Sequence, residues 1–135
     1  MNNPITQSSN NPINEKMKNG KIYDIHERIY KWVIDVINYT KKIPKTPQNL
    51  VIVPQIVASV TSVGANDQEA DASDSKKDFI AKYAIVRKEC KETIYWLKIL
   101  RDTNTSEFRQ EAERLITEGK EISYIVSTIM KNAKR

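Results

Sequence analysis

The feature that most constrains this chain is the recurrence of apolar residues at steps of three and four from residue 24 onward. Such steps place side chains on one face of a helix. In the first segment, this face consists of Ile25, Ile29, Trp32, Val36, Tyr39 and Ile43. Asp24 is a suitable N-terminal cap, and Pro44 and Pro47 end the segment. The pattern predicts a first helix over about residues 24–43.

The next apolar segment, LVIVPQIVASVTSVGAN from Leu50, fits either a strand or a helix. Its density of Val and Ile is typical of a buried strand. Pro54 would remove a hydrogen-bond donor from a central strand but is compatible with the opening of a helix, and the apolar spacing is helical. A single strand would also lack a pairing partner. We therefore expect a second helix over about residues 48–70.

Two more helices are predicted in the C-terminal half. A polar bridge, DASDSKK, precedes a third helix over about residues 75–102. Asn104 and Glu107 have the spacing of a capping box for a fourth helix over about residues 105–131. Four helices joined by short links predict an all-α fold, an antiparallel up-and-down four-helix bundle that occupies residues 22–135 as one domain.

Residues 1–21 have a different composition, with six Asn, two Pro and only isolated apolar residues. Such a segment buries too little surface to offset the cost of ordering its backbone, so we expect a flexible, disordered polar arm. It lacks the apolar block of a secretory signal, and no apolar run reaches the roughly 20 residues that span a bilayer. We expect a cytoplasmic protein with no membrane contact.

Catalytic, cofactor and metal chemistry find little support in the residue types present. A single cysteine and a single histidine exclude an intramolecular disulfide and a His/Cys zinc site. His26 lies among charged residues in a first helical turn and is predicted to be a solvated surface imidazole. Cys90 falls on a core stripe and is predicted to be an unreactive apolar filler. We expect no enzyme, no cofactor, no metal and no small-molecule substrate.

A basic ridge is predicted along the third helix. Its members fall within about 80° of one another around the helix axis. They are Lys76, Arg87, Lys91, Lys98 and Arg101. Aligned cations of this kind are candidates for contact with a phosphate backbone, although a ridge of structural salt bridges is an equally good interpretation. The net charge of +5 is spread along the chain and favours polyanions only weakly.

The first and third helices each carry a second apolar stripe outside their core stripe. A four-helix bundle leaves the outward side of each helix in water, so these stripes predict a subunit interface and a homo-oligomer. The candidate interface residues are Tyr30, Ile34 and Ile37 on the first helix and Ile85, Tyr95, Trp96 and Ile99 on the third. Scattered exposure of apolar residues on a monomer is the alternative.

Two segments, QIVASVTSVGANDQEA at 55–70 and SKKDFIAKYAIVRKECKETIYWL at 75–97, resemble the four-helix-bundle family related to proteins encoded in intervening sequences of bacterial large-subunit ribosomal RNA genes. The resemblance covers about residues 22–133. It implies four helices, the second segment among them, and a bacterial cytoplasmic origin. It also implies a ring-like homo-oligomer, a pentamer, without enzymatic activity.

More distantly, the chain is similar to accessory variability proteins of retroelements, in which a basic ring engages nucleic acid and a reverse transcriptase. Asn66 and Glu69 match the family motif and are expected to satisfy a buried hydrogen-bond network. The chain departs from the family pattern at Ala58, where Arg is common, and at Asp67, where an aliphatic residue is common.

Two hypotheses about function follow. The first is a non-enzymatic, homo-oligomeric bundle that binds RNA or a ribonucleoprotein through its basic ridge. The second is a protein-interaction scaffold or accessory subunit, for example of a reverse transcriptase, without direct contact to nucleic acid. Nucleic-acid binding that weakens steeply with salt would favour the first hypothesis.

Overall fold

The computed structural model describes residues 14–16 and 22–135. Two three-residue strands, β1 (Asn14–Lys16) and β2 (Ile22–Asp24), pair antiparallel and lead into the helices. The helices are α1 (Ile25–Lys41), α2 (Asn49–Asp71), α3 (Lys76–Thr103) and α4 (Arg109–Ala133). Apart from β1, the polar arm predicted over residues 1–21 lies outside the described residues.

The four helices form an antiparallel bundle. α1 packs against α2 and α4, and α3 packs against the same two helices, so α1 and α3 lie diagonally across the bundle. Contacts between α2 and α3 run in opposite chain directions: Asn49 meets Asn104, Ser59 meets Thr93, and Asp67 meets Tyr83. The predicted fold class is confirmed.

Local polar contacts set the ends of the helices. Asp24 caps α1 as predicted, because its Oδ1 accepts from the backbone N–H of His26 at 2.7 Å. The predicted capping box at Asn104 and Glu107 does not form. The Asn104 amide instead donates to the carbonyl of Leu100 at 3.0 Å and also contacts Asn49. A 3-10 turn, Ser106–Phe108, follows, and α4 begins only at Arg109.

Trp32 of α1 is the largest side chain of the core and lies directly against α4. Its indole nitrogen donates to the carbonyl of Leu115 at 3.0 Å. The helices approach so closely here that a Cβ at Gly119 would lie 2.5 Å from Trp32 Cζ2. Cys90 is fully buried, and its burial raises the thiol pKa to about 12. The thiol is therefore protonated and packs as an apolar group.

α2 is apolar on its outer side as well as on its inner side. It carries no charged residue from Asn49 to Asn66. Its most apolar window of 18 residues has a mean hydropathy of 1.3, and 28% of that window is buried. By length and composition alone α2 is long enough to cross a membrane, but the core helices of soluble proteins pass the same test. Short polar residues such as Ser59 and Thr61 interrupt the run without adding charge.

Candidate functional site

The five residues of the predicted basic ridge do not share one environment. Lys76 and Lys91 are exposed, whereas Arg87, Lys98 and Arg101 are half-buried. The guanidinium of Arg101 donates to both carboxylate oxygens of Asp102, at 2.8 and 3.1 Å. Its charge is therefore matched locally. Among residues 24–135, the other four ridge cations take part in no ion pair.

Part of the ridge borders an open groove between α3 and α4. The groove is lined by Lys91, Ile94, Tyr95, Lys98, Lys120 and Ser123. Ile94 and Ser123 are buried and form its floor, whereas the Tyr95 side chain stands at its edge and is 57% exposed. The structure thus brings Lys91 and Lys98 together with a third lysine that the sequence analysis did not single out.

Lys120 reaches the groove because of the close packing of Gly119. A Cβ at Gly119 would lie 3.1 Å from Ile94 Cγ1, so α4 approaches α3 at this point. The next residue along α4 then lies at the border between the two helices. Within the described part of the chain, no carboxylate lies within ion-pair distance of Lys91, Lys98 or Lys120. The groove is an unneutralised cationic surface that contains an exposed aromatic ring.

The predicted interface residues differ widely in exposure. Tyr30 is 68%, Ile34 39% and Tyr95 57% exposed. The remaining candidates, Ile37, Ile85, Trp96 and Ile99, are half-buried. Trp96 also packs against the core, and its indole nitrogen donates to Glu92 at 3.3 Å.

A further exposed apolar surface lies on α2, the helix that packs against both α1 and α3. We call it the outer apolar face. It consists of the exposed residues Leu50, Val51, Pro54, Ala58 and Ala65. Leu50 is 58% and Val51 64% exposed. The signal for this face in the sequence is the absence of charge on every side of α2 from Asn49 to Asn66.

A buried polar cluster joins α1, α2 and α3 near the β1–β2 hairpin. Nδ1 of His26 lies 2.9 Å from both carboxylate oxygens of Asp67. The Tyr83 hydroxyl donates to Asp67 Oδ1 at 2.8 Å. On its other side, His26 Nε2 lies 3.2 Å from Asp71 Oδ1 and 3.9 Å from Asp24 Oδ1. Within the described residues, no group of three or more His, Cys, Asp or Glu is arranged to hold a metal ion.

The charges around His26 determine its protonation. Burial alone would lower the pKa of the imidazole, but the hydrogen bond to Asp67 and the charges of Asp67, Asp24 and Asp71 outweigh burial and raise the pKa above 6.5. Burial, together with the Asp67 charge, also raises the pKa of Tyr83 far above its ordinary value, so its hydroxyl remains a donor.

This cluster corrects two predictions. His26 is 7% exposed and is not a solvated surface imidazole. In the motif segment of α2 the buried polar residue is Asp67, whereas Asn66 is half-buried and donates to Ser62 within α2. Glu69 is exposed and pairs with Lys82 at 2.8 Å. The helical positions explain the difference, because Asp67 faces the core and its two motif neighbours do not.

The fold and the groove define the class of this protein: an antiparallel four-helix bundle with a cationic groove between its third and fourth helices. Residues 21–128 match the family described as 23S rRNA-intervening sequence protein, and the chain belongs to this family. The family resemblance deduced from the two sequence segments is thereby confirmed.

The fold is also similar to a solved structure, a protein of unknown function from the S23 ribosomal protein family of Bacteroides thetaiotaomicron. The two chains are 32% identical, with a TM-score of 0.71. The similarity covers 79% of this chain and 98% of that chain. No curated protein matches significantly.

Proposed function

We propose that this protein is a non-enzymatic, homo-oligomeric helical bundle that binds RNA, alone or within a ribonucleoprotein. Binding takes place at the ridge of α3 and at the groove that α3 shares with α4. The observation that carries the proposal is the set of lysines at this groove, Lys91, Lys98 and Lys120, which take part in no ion pair among residues 24–135. Cations without carboxylate partners are free to bind phosphate groups.

The energetics favour a polyanionic ligand. Each phosphate that a lysine neutralises releases condensed counterions, so binding strengthens at low salt and weakens steeply as salt rises. Three lysines and Arg87 in one copy supply a modest attraction. Several copies in one assembly present several such grooves to the same RNA, and the linked contacts raise the overall affinity without any new kind of contact.

Self-association is the second part of the proposal. The outer apolar face presents a charge-free helix surface to water. The two helices packed against α2 carry further apolar residues that are exposed or half-buried: Tyr30 and Ile34 on α1, and Ile85 and Trp96 on α3. Covering such a surface with another copy removes apolar area from water at about 25 cal/mol per Å². We propose a ring of copies, with five as the number that the family resemblance implies.

Electrophoretic mobility shift of a structured RNA at low and moderate salt tests RNA binding. The variant Arg87→Glu/Lys91→Glu reverses two charges of the ridge and is expected to abolish the shift. The matched control, Lys41→Glu/Lys45→Glu, reverses two exposed charges, one at the C-terminal end of α1 and one in the loop that follows it. It is expected to retain most of the binding. An equal loss of RNA binding in both variants, or no mobility shift of the RNA by the wild type at low salt, would contradict the proposal.

The outer apolar face also supports the alternative function, a scaffold or accessory subunit that recruits a protein such as a reverse transcriptase. In that case the face binds a protein partner and the groove binds no RNA. Binding of the reverse transcriptase by a protein that shifts no RNA at low salt would favour this alternative.

A further inference from the structure

We infer that the α3/α4 groove binds an unpaired nucleotide of RNA, with the base on the ring of Tyr95 and the flanking phosphates at Lys91, Lys98 and Lys120. This inference rests on the proposed function and specifies the form of RNA that the groove recognises. It depends on the position of one exposed aromatic ring among cations that have no carboxylate partner in the described part of the chain.

Tyr95 lies between two of the lysines on one side of α3. It follows Lys91 by four residues and precedes Lys98 by three, which places the three side chains next to one another on the helix. The Tyr95 side chain is 57% exposed. Its ring centroid lies 5.2 Å from that of Trp96, with an interplanar angle of 67°. This edge contact with a half-buried neighbour holds the Tyr95 ring at the border of the groove.

The geometry fits one nucleotide with its two flanking phosphates. Lys91 and Lys98 are seven residues apart, which is roughly 10 Å along the helix axis. Lys120 lies opposite them on α4. A phosphate on either side of a stacked base therefore meets a cation at each end of the groove. The buried floor of Ile94 and Ser123 keeps the groove shallow, so the ligand lies along its surface.

An exposed ring favours single-stranded RNA over a duplex. Every base has a π-face that stacks on an aromatic side chain, and this contact is tolerant of sequence. In a duplex the base faces are already stacked on one another, and the surface offered to a protein consists mainly of phosphates and 2′-hydroxyls. The lysines attract both forms of RNA, whereas Tyr95 adds affinity only for unpaired bases.

Fluorescence anisotropy with the full chain tests the inference. The probes are a labelled oligouridine and a labelled RNA duplex of the same length. We expect the wild type to bind the single strand more tightly than the duplex. The variant Tyr95→Ala is expected to weaken single-strand binding roughly tenfold, within the range that stacking supplies, and to leave duplex binding unchanged. Tyr95→Phe retains the ring and is expected to bind like the wild type.

Charge and stacking are separated by a second variant, Lys91→Gln/Lys98→Gln/Lys120→Gln. It is expected to weaken binding of both probes and to reduce the slope of log affinity against log salt for the single strand by about two.

Tyr95→Leu, which retains apolar bulk at this exposed position, replaces Tyr95→Ala if the alanine variant proves unstable. It is expected to lose the single-strand preference in the same way.

The outcomes distinguish the two proposals. If the lysine variant loses both probes while Tyr95→Ala and Tyr95→Leu bind the single strand like the wild type, the groove binds RNA without stacking and the inference is overturned. If the wild type binds neither probe at low salt, the proposed RNA-binding function fails as well.

Discussion

At the scale of single residues, the His26–Asp67 contact is the most unusual feature of the core. Burying one unpaired charge costs free energy, but the attraction between a protonated histidine and a carboxylate in direct contact offsets part of that cost. Tyr83 donates a further hydrogen bond to Asp67, and Asp71 lies on the opposite side of the imidazole. The contacts of His26, Asp67 and Tyr83 thus join three helices, and the strength of these contacts depends on whether His26 is protonated.

We predict that the protein loses stability as pH rises from mildly acidic to mildly basic values. The pKa of His26 is raised in the folded state above its ordinary value of 6.5. A raised pKa means that the folded state binds the proton more tightly than the unfolded state does. The stabilisation that protonated His26 provides is therefore complete below pH 6.5 and is lost as pH rises through the raised pKa. Urea unfolding monitored by circular dichroism at several pH values measures the effect.

The control for this prediction is His26→Gln, which removes the titrating group and leaves a polar side chain. Its free energy of unfolding should vary less with pH over the same range. An unfolding free energy that rises with pH in the wild type, or an identical pH profile in the variant, would contradict the assigned protonation.

Sequence reasoning could not identify this cluster. His26 and its flanking charges look like a solvated first turn, and its partner Asp67 lies 41 positions away. Only the packing of α1 on α2 shows that both side chains point inward. Cys90, by contrast, was placed correctly in the core, because the stripe on which it lies is visible in its own helix.

At the scale of helices, the contact of α1 and α3 with α4 depends on Gly119. An added Cβ would lie 2.5 Å from Trp32 Cζ2 and 3.1 Å from Ile94 Cγ1. The packing around Gly64 is less tight than around Gly119, because a Cβ at Gly64 would lie 3.3 Å from its nearest neighbour, Val33 Cγ2. The two glycines therefore form a matched pair, since both lie inside a helix and alanine favours helix formation at either site.

We predict that Gly119→Ala lowers the free energy of unfolding by about 1–3 kcal/mol, because a fixed indole cannot move away without displacing the core. Gly64→Ala should remain within about 1 kcal/mol of the wild type, since the gain in helix propensity offsets a small shift of Val33. Urea denaturation of both variants gives the comparison. A Gly119→Ala protein as stable as Gly64→Ala would show that the helices separate easily at this point.

The periodicity of apolar residues was sufficient to predict the helices, and the position of Pro54 correctly favoured a helix over a strand for α2. The start of α4 was predicted wrongly, because the side chain of Asn104 donates to the end of α3 and contacts Asn49. Asn49 lies 55 positions away, so the sequence pattern around Asn104 does not show this contact. Lys120 was missed for the same reason: its place in the groove depends on which side of α4 meets α3.

At the scale of the whole molecule, the two candidate surfaces lie in different places. The outer apolar face belongs to α2, and the cationic groove lies between α3 and α4. α2 and α4 are diagonal partners in the bundle, each packed against α1 and α3. Association through α2 therefore leaves the grooves open on the outside of an assembly, where several of them reach the same RNA.

The molar mass of the protein in solution, measured by light scattering, tests this arrangement most directly. The variant Val51→Asp/Ala58→Asp places two charges on the outer apolar face and is expected to disrupt the assembly. Thr128→Asp, at an exposed position of α4, is the control. We predict a wild-type mass several times 15.6 kDa, close to five copies, retained in the control and reduced in the double variant. A wild-type mass of 15.6 kDa, or an unchanged assembly in the double variant, would contradict the account.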